Sequence, residues 1–125
     1  CGNNEKLRAA LAKKYPSVTA VGWTDEVYRY LKEADLVVTG EGRLDGQSAM
    51  GKTPVGVAAL AKRRDISVIA LAGSVGAGAD AVNGAGIDAF FPILRSVTSL
   101  EEALDTNNAH KNLVATAYQV FRLIV

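Results

Sequence analysis

Apolar residues recur along this chain in two rhythms, one of helical spacing and one of short continuous runs, and the two alternate. Leu7, Ala10 and Leu11 mark a helix from Asn4 to Lys14, which Tyr15-Pro16 stops. Val18 to Val21 is a short β-branched run that predicts a strand. Thr24 then caps a helix with Asp25 and Glu26 in its first turn, and Val27, Tyr30, Leu31 and Ala34 give that helix one apolar stripe. Leu36 to Val38 predicts the next strand, ending near Thr39. Pro54 stands where a first helical residue is expected, and Val57, Leu60 and Ala61 form the buried face that follows.

Ser67 to Ala72 is nearly continuously apolar, as in a parallel strand covered on both faces. Gly73 to Gly78 is a glycine-rich loop directly after it. A short helix from Ala79 to Asn83 ends at Gly84 and Gly86, and Ala89 to Ile93 is a further strand, with Pro92 placing it near an edge or near its own end. Thr98-Ser99-Leu100-Glu101 reads as a capping box before a helix from Leu100 to Leu104. Asn107 and Asn108 precede a last helix with Leu113, Ala117, Val120 and Ile124 along one face and His110 in its first turn. The alternation β-α-β-α-β-α predicts a single α/β domain over residues 1–125, with three layers around an open, mainly parallel sheet of Rossmann-like or flavodoxin-like type.

Composition narrows the function classes. A net charge of +1 provides no basic field for nucleic acid, and Lys62-Arg63-Arg64, the one basic cluster, falls at a helix end where cations suit the dipole. No apolar run approaches the roughly 20 residues that span a bilayer. Cys1 is the sole cysteine, which excludes an internal disulfide and suits a reducing, cytoplasmic compartment. His110 has neither a cysteine nor a second histidine near it and reads as a surface residue.

The chemistry is concentrated between Thr39 and Pro54. Four glycines, Glu41, Asp45, Arg43, Lys52, Gln47, Ser48 and Thr53 share this segment, between a strand and a helix, where α/β proteins bind anions. Gly46 to Thr53 satisfies G-x-x-x-x-G-K-[ST], the phosphate-cradling pattern. With the strand ending near Thr39, however, Gly40 to Asp45 intervene before Gly46, and no later strand ends in an acidic residue suited to hold Mg²⁺. Gly40-Glu41-Gly42-Arg43-Leu44-Asp45 begins a dinucleotide fingerprint but places a carboxylate at its third glycine, where it would repel a pyrophosphate. Two readings stay open. Asp45 and Glu41 serve as general base or metal ligand while Arg43 and Lys52 neutralise an anion; or Glu41, Arg43 and Asp45 form a salt-bridge network that pins the loop. Gly73 and Ser74 either offer backbone N–H groups to the same crevice or only permit tight turns.

The segment from Thr39 to Ala58 resembles the signature of bacterial class I glycerate kinases, T-G-E-G-R-x-D-x-Q-[ST]-x-x-G-K-x-P-x-G-V-A, at every fixed position. The likeness continues through Ala70–Ser74, Ala85–Ala89, Thr98–Leu104 and Asn112-Leu113, and is weaker over residues 1–33. The resemblance implies transfer of a phosphoryl group from ATP, with Mg²⁺, to a hydroxyl of D-glycerate, most simply giving 2-phosphoglycerate. It implies that Asp45 is the base or metal-organising carboxylate with Glu41 in support. Arg43 and Lys52 then bind the glycerate carboxylate or ATP phosphates, Gln47 and Ser48 orient substrate, and Gly40, Gly42, Gly51, Thr53, Gly73 and Ser74 contribute to substrate or nucleotide binding. Members of that family are longer and carry an A-P-D-S-F-K-G-like segment that is absent here. The resemblance therefore implies the C-terminal portion of a two-domain kinase, whose N-terminal part is its natural partner. The rival readings are a non-catalytic small-anion or nucleotide-binding module, and an interaction domain that dimerises through an apolar face.

Overall fold

The computed structural model describes residues 3–124, so Cys1 lies outside the described residues. The chain divides into two compact units, one reaching to Tyr30 and one from Leu31 onward. In the first, helix α1 (Glu5–Lys14) is capped by Asn4, whose side-chain oxygen accepts from the Leu7 N–H at 2.9 Å, and none of its residues is buried. The run Val18–Val21 forms no strand. Helix α2 (Val27–Leu31) starts later than the sequence predicts. Thr24 Oγ1 accepts from the Glu26 N–H at 3.0 Å, so Thr24 shapes a turn ahead of the helix and does not cap it.

The second unit is built on three parallel strands in the order β1 (Leu36–Leu44), β2 (Ser67–Val75), β3 (Ala89–Pro92). Helix α3 (Thr53–Lys62) links β1 to β2, and α4 (Ala81–Gly84) links β2 to β3. Both connections step the same way across the sheet, so right-handed crossovers place α3 and α4 on one face. Accordingly, a Cβ at Gly86 would meet Lys62 and Ala58 of α3. Helices α5 (Leu100–Leu104) and α6 (Thr106–Ile124) follow β3, and α6 lies along Phe91 and Pro92 through Thr116 and Val120. The mixed α/β fold with a parallel sheet is the expected one.

The core is small-residue and aliphatic. Val68, Ala70 and Ala72 of β2, Ala58 and Ala61 of α3, and Val82 and Ile87 around α4 are fully buried. On α3 the buried positions are Pro54, Ala58 and Ala61, with Val57 and Leu60 only half-buried, because small side chains let the helix sit close to β2. At the far end of the sheet from the charged segment, Asp88 accepts from Lys62 Nζ at 2.6 and 2.8 Å and from the Val68 N–H at 2.7 Å. The Lys62 hydrogen bond, followed by that from Val68, holds the Asp88 carboxyl below its ordinary value. This group ties the end of α3 to the start of β2 and β3.

Three boundaries move. β1 runs on to Leu44 and β2 to Val75, so Gly40–Leu44 and Gly73–Val75 are strand where loops are expected. Helix α6 opens at Thr106, so Asn107 and Asn108 lie inside it, and the exposed His110 falls beyond its first turn. No helix among the described residues is long and apolar enough to cross a membrane.

Candidate active site at the carboxyl ends of β1 and β2

The longer β1 changes how the charged segment is presented. Gly40 to Arg43 are strand residues, with Gly40 beside Leu71, Glu41 beside Ala72 and Arg43 beside Ser74 of β2. Alternation along the strand puts Glu41 and Arg43 on one face and Gly40 and Gly42 on the other. The strand ends at Leu44, and Asp45 is the first residue of the turn. The Gly76 N–H donates to the Leu44 carbonyl at 2.7 Å and the Gly46 N–H to the Ala77 carbonyl at 3.0 Å, binding the two strand exits together.

Asp45 organises the turn. Its N–H donates to Ser48 Oγ at 3.1 Å, its carbonyl accepts from the Ser48 N–H at 2.9 Å, and its Oδ1 accepts from the Gln47 N–H at 3.0 Å. Ser48 is fully buried beneath it and opens a single 3-10 turn, Ser48–Met50. Gly51 follows at φ +101°, a left-handed conformation that glycine adopts without strain, and it redirects the chain into Lys52 and α3. Lys52 Nζ lies 3.7 Å from Asp45 Oδ1, and Arg43 Nε lies 3.6 Å from Asp45 Oδ2.

Asp45 is therefore flanked by two cations, with the strand supplying one and the helix start the other. Its own side chain is 22% exposed, against 68% for Arg43 and 40% for Lys52. Ion pairs this long and this solvated contribute little to stability. The turn is held by hydrogen bonds, which leaves both cations free to turn toward an anion. Glu41 is the fourth charged group: its Oε2 is buried without a hydrogen-bond partner, an arrangement that costs energy unless something meets it.

The G-x-x-x-x-G-K-[ST] pattern needs re-examination here. The expected spacer between strand and Gly46 is absent, since β1 reaches Leu44. The amides decide the matter instead. Those of Gly46, Gln47, Ser48 and Met50 are spent on Ala77, Asp45 and Gln47, those of Val55 and Gly56 donate to the Lys52 carbonyl, and Pro54 has none. A phosphate cradle needs such amides converging on the ligand. With those amides engaged, the segment meets an anion largely through its charged side chains, Arg43 and Lys52.

No three His, Cys, Asp or Glu side chains among the described residues gather into a metal-holding group. Mg²⁺ commonly takes only one or two carboxylates and completes its shell with water and substrate phosphates. Glu41, with its orphaned oxygen, and Asp45 fit that limited demand.

Beside the charged group, on the Gly42 side of β1, lies a cleft of about 320 Å³ between the strand ends and α5, its walls including Gly42, Gly73, Ser74 and Leu104. Gly73 and Ser74 were expected near the crevice, but the α5 residues were not. The only local signal there is the capping box, which the structure makes from Ser99 and Glu102, one residue later than the predicted Thr98–Glu101 pair. Glu102 accepts from the Ser99 N–H, the Thr98 hydroxyl and the Ser99 hydroxyl, and these bonds, that of the Ser99 N–H foremost, lower its carboxyl from the ordinary value.

Comparison with known proteins agrees with this architecture. The family model described as "Glycerate kinase family" matches residues 7–125. The chain is 47% identical over 95 residues to glycerate kinase of Haemophilus influenzae, covering 76% of this chain and 25% of that protein. It is 45% identical over 98 residues to glycerate kinase of Halalkalibacterium halodurans, covering 78% and 26%. It is 41% identical over 92 residues to glycerate 2-kinase of Escherichia coli, covering 70% and 24%. The chain thus spans about a quarter of the length of the curated relatives it matches. A family match over nearly all of its own length, residues 7–125, places this chain in the glycerate kinase family.

Proposed function

We propose that the chain carries the C-terminal part of the active site of a cytoplasmic kinase that transfers the γ-phosphoryl group of ATP to a hydroxyl of D-glycerate, giving 2-phosphoglycerate. The observation that carries this reading is Asp45 held between Arg43 and Lys52. Phosphoryl transfer asks for positioning and charge neutralisation more than for covalent chemistry. Arg43 and Lys52 supply the neutralisation, one on the glycerate carboxylate and one on the transferring phosphoryl oxygens. Asp45 Oδ1 is occupied by Gln47, which leaves Oδ2 as the proton acceptor. As the glycerate oxygen bonds to phosphorus and the bond to the ADP oxygen breaks, the hydroxyl proton passes to Oδ2. Gln47 fixes the orientation of that carboxylate, and the buried Ser48 hydroxyl holds the Asp45 backbone in place.

When bound with the nucleotide, Mg²⁺ would be held by Glu41 and Asp45 and would supply charge neutralisation across the phosphate oxygens. The remaining sheet and the rest of the site belong, on this reading, to the N-terminal part of the same kinase. The test is an amide NMR titration of the chain with D-glycerate and then with MgATP. Saturable shifts at residues 43–53 are expected, and their loss in Arg43→Gln. A well-dispersed spectrum that neither ligand moves overturns the reading.

A further inference from the structure

We propose that the cleft between the ends of β1 and β2 and helix α5 is the subsite for the adenine ring of the phosphoryl donor. This deepens the phosphotransferase reading and rests on it. No residue lining the cleft carries an ionisable side chain. It therefore has nothing to neutralise the carboxylate of glycerate or a phosphate, both of which belong with Arg43 and Lys52. Its volume of about 320 Å³ sits at the small end of the range for ligand pockets.

The floor suits a flat ring. It is formed by Gly42 and Gly73, and a Cβ placed on Gly42 would meet nothing within 4 Å, so open space lies directly above the peptide. The wall is apolar and unfinished: Leu100 and Leu104 are 75% and 72% exposed although they line the cleft. An aromatic ring between floor and wall would take that apolar surface out of water.

The rim sets the polarity of the ligand. Thr98 Oγ1 donates its proton to Glu102 Oε2 at 2.8 Å and Ser99 Oγ donates to the same oxygen at 3.1 Å. Ser99 Oγ also accepts from the Glu102 N–H at 3.2 Å. With its hydroxyl proton spent on Glu102, Thr98, which lines the cleft, can offer Oγ1 only as an acceptor. An acceptor rim selects a ring bearing an exocyclic amino group, as adenine does and hypoxanthine does not. The placement also fits the nucleotide's length. From Gly42 to Asp45 is three positions, about 10 Å at strand spacing, and Lys52 Nζ lies 3.7 Å from Asp45 Oδ1 to receive phosphate.

The test uses ¹⁵N-labelled chain and adenosine, which carries the ring without any phosphate. Adenosine is expected to move the amides of Gly42, Gly73, Ser74 and residues 98–104 saturably, with inosine at least about tenfold weaker. Ala103→Phe, which fills the cleft, is expected to abolish those shifts while the response of residues 43–53 to tripolyphosphate persists and reports a folded chain. Thr98→Val is expected to bind adenosine and inosine alike. The proposal is overturned if adenosine moves none of these amides, if Ala103→Phe binds it as well as the parent chain does, or if inosine matches adenosine in the parent. Failure of the phosphotransferase reading would look different: glycerate and tripolyphosphate would leave residues 43–53 unmoved, whatever adenosine does.

Discussion

Replacing Gly73 with alanine tests how tightly the two site-bearing strands are pressed together. A Cβ at Gly73 would fall 2.4 Å from the Gly42 carbonyl oxygen and 3.3 Å from its carbon. Ordinary van der Waals contact begins near 3.4 Å, so the shortfall is about 1 Å. The obstructing atom is backbone within a paired strand, so no side-chain rotation relieves the clash and the strands must part. Overpacking of this kind costs about 1–3 kcal/mol, and a backbone partner puts Gly73→Ala in the upper half, about 2–3 kcal/mol. With a urea m-value of about 1.5 kcal/mol/M for a domain of this size, the unfolding midpoint should fall by about 1.3–2 M. Gly42→Ala is the control, since its Cβ meets nothing within 4 Å, and it should move the midpoint by less than about 0.4 M. Urea titrations followed by far-ultraviolet circular dichroism measure both. Equal midpoints for the two variants would refute the claimed contact and, with it, the close approach that forms the cleft floor.

Other expectations follow from single features. Gly86 sits at φ +103° with Lys62 Cγ 3.2 Å from its Cβ position, so Gly86→Ala should cost about 1.5–3 kcal/mol and lower the melting temperature by about 5–10 °C in calorimetry. Ser99→Ala removes the capping hydroxyl of α5 and should destabilise by about 1 kcal/mol, with faster amide exchange at Glu102. Asp88 has its folded-state pKa below the ordinary 3.8. It therefore contributes stability that is present above that value and lost as pH falls through the lower, folded one. The difference in urea midpoint between the parent chain and Asp88→Asn should be largest at neutral pH and vanish in strong acid. Its size should stay at or below about 1 kcal/mol, because the pair is part-exposed.

Much of this architecture is legible in the residues. The β2 run Ser67–Ala72 reads as a buried parallel strand because every side chain in it is apolar or small, and Pro54 marks the start of α3 to within a residue. The extension of β1 is not legible. Gly40-Glu41-Gly42-Arg43 has poor strand propensity, and only pairing with Leu71–Ser74 makes it a strand, a tertiary effect that outweighs local preference. Val18–Val21 errs the other way: good local propensity, yet the run adopts no strand. The charged group was visible because its members crowd into one stretch. Only the strand side of the cleft was, through Gly42, Gly73 and Ser74, since Leu94 and Ala103 carry no local signal and meet them only after folding. Nor could a pattern of letters reveal that the amides of Gly46, Gln47, Ser48 and Met50 are already engaged.

The stitching of the two strand exits has a consequence for how this region can change. Gly76 holds Leu44 and Ala77 holds Gly46, so the turn that carries Asp45 and the loop after β2 open or close as a single cooperative segment. A Cβ at Gly76 would come within 3.0 Å of the Arg43 guanidinium, and one at Gly78 within 3.2 Å of the Gly46 Cα. Substitutions in one loop are thus felt by the charges of the other, and paired changes across them will not sum. For anyone re-engineering substrate preference here, the two segments are one inheritable module: variants drawn from each separately will clash, and libraries that vary both together will find the productive combinations.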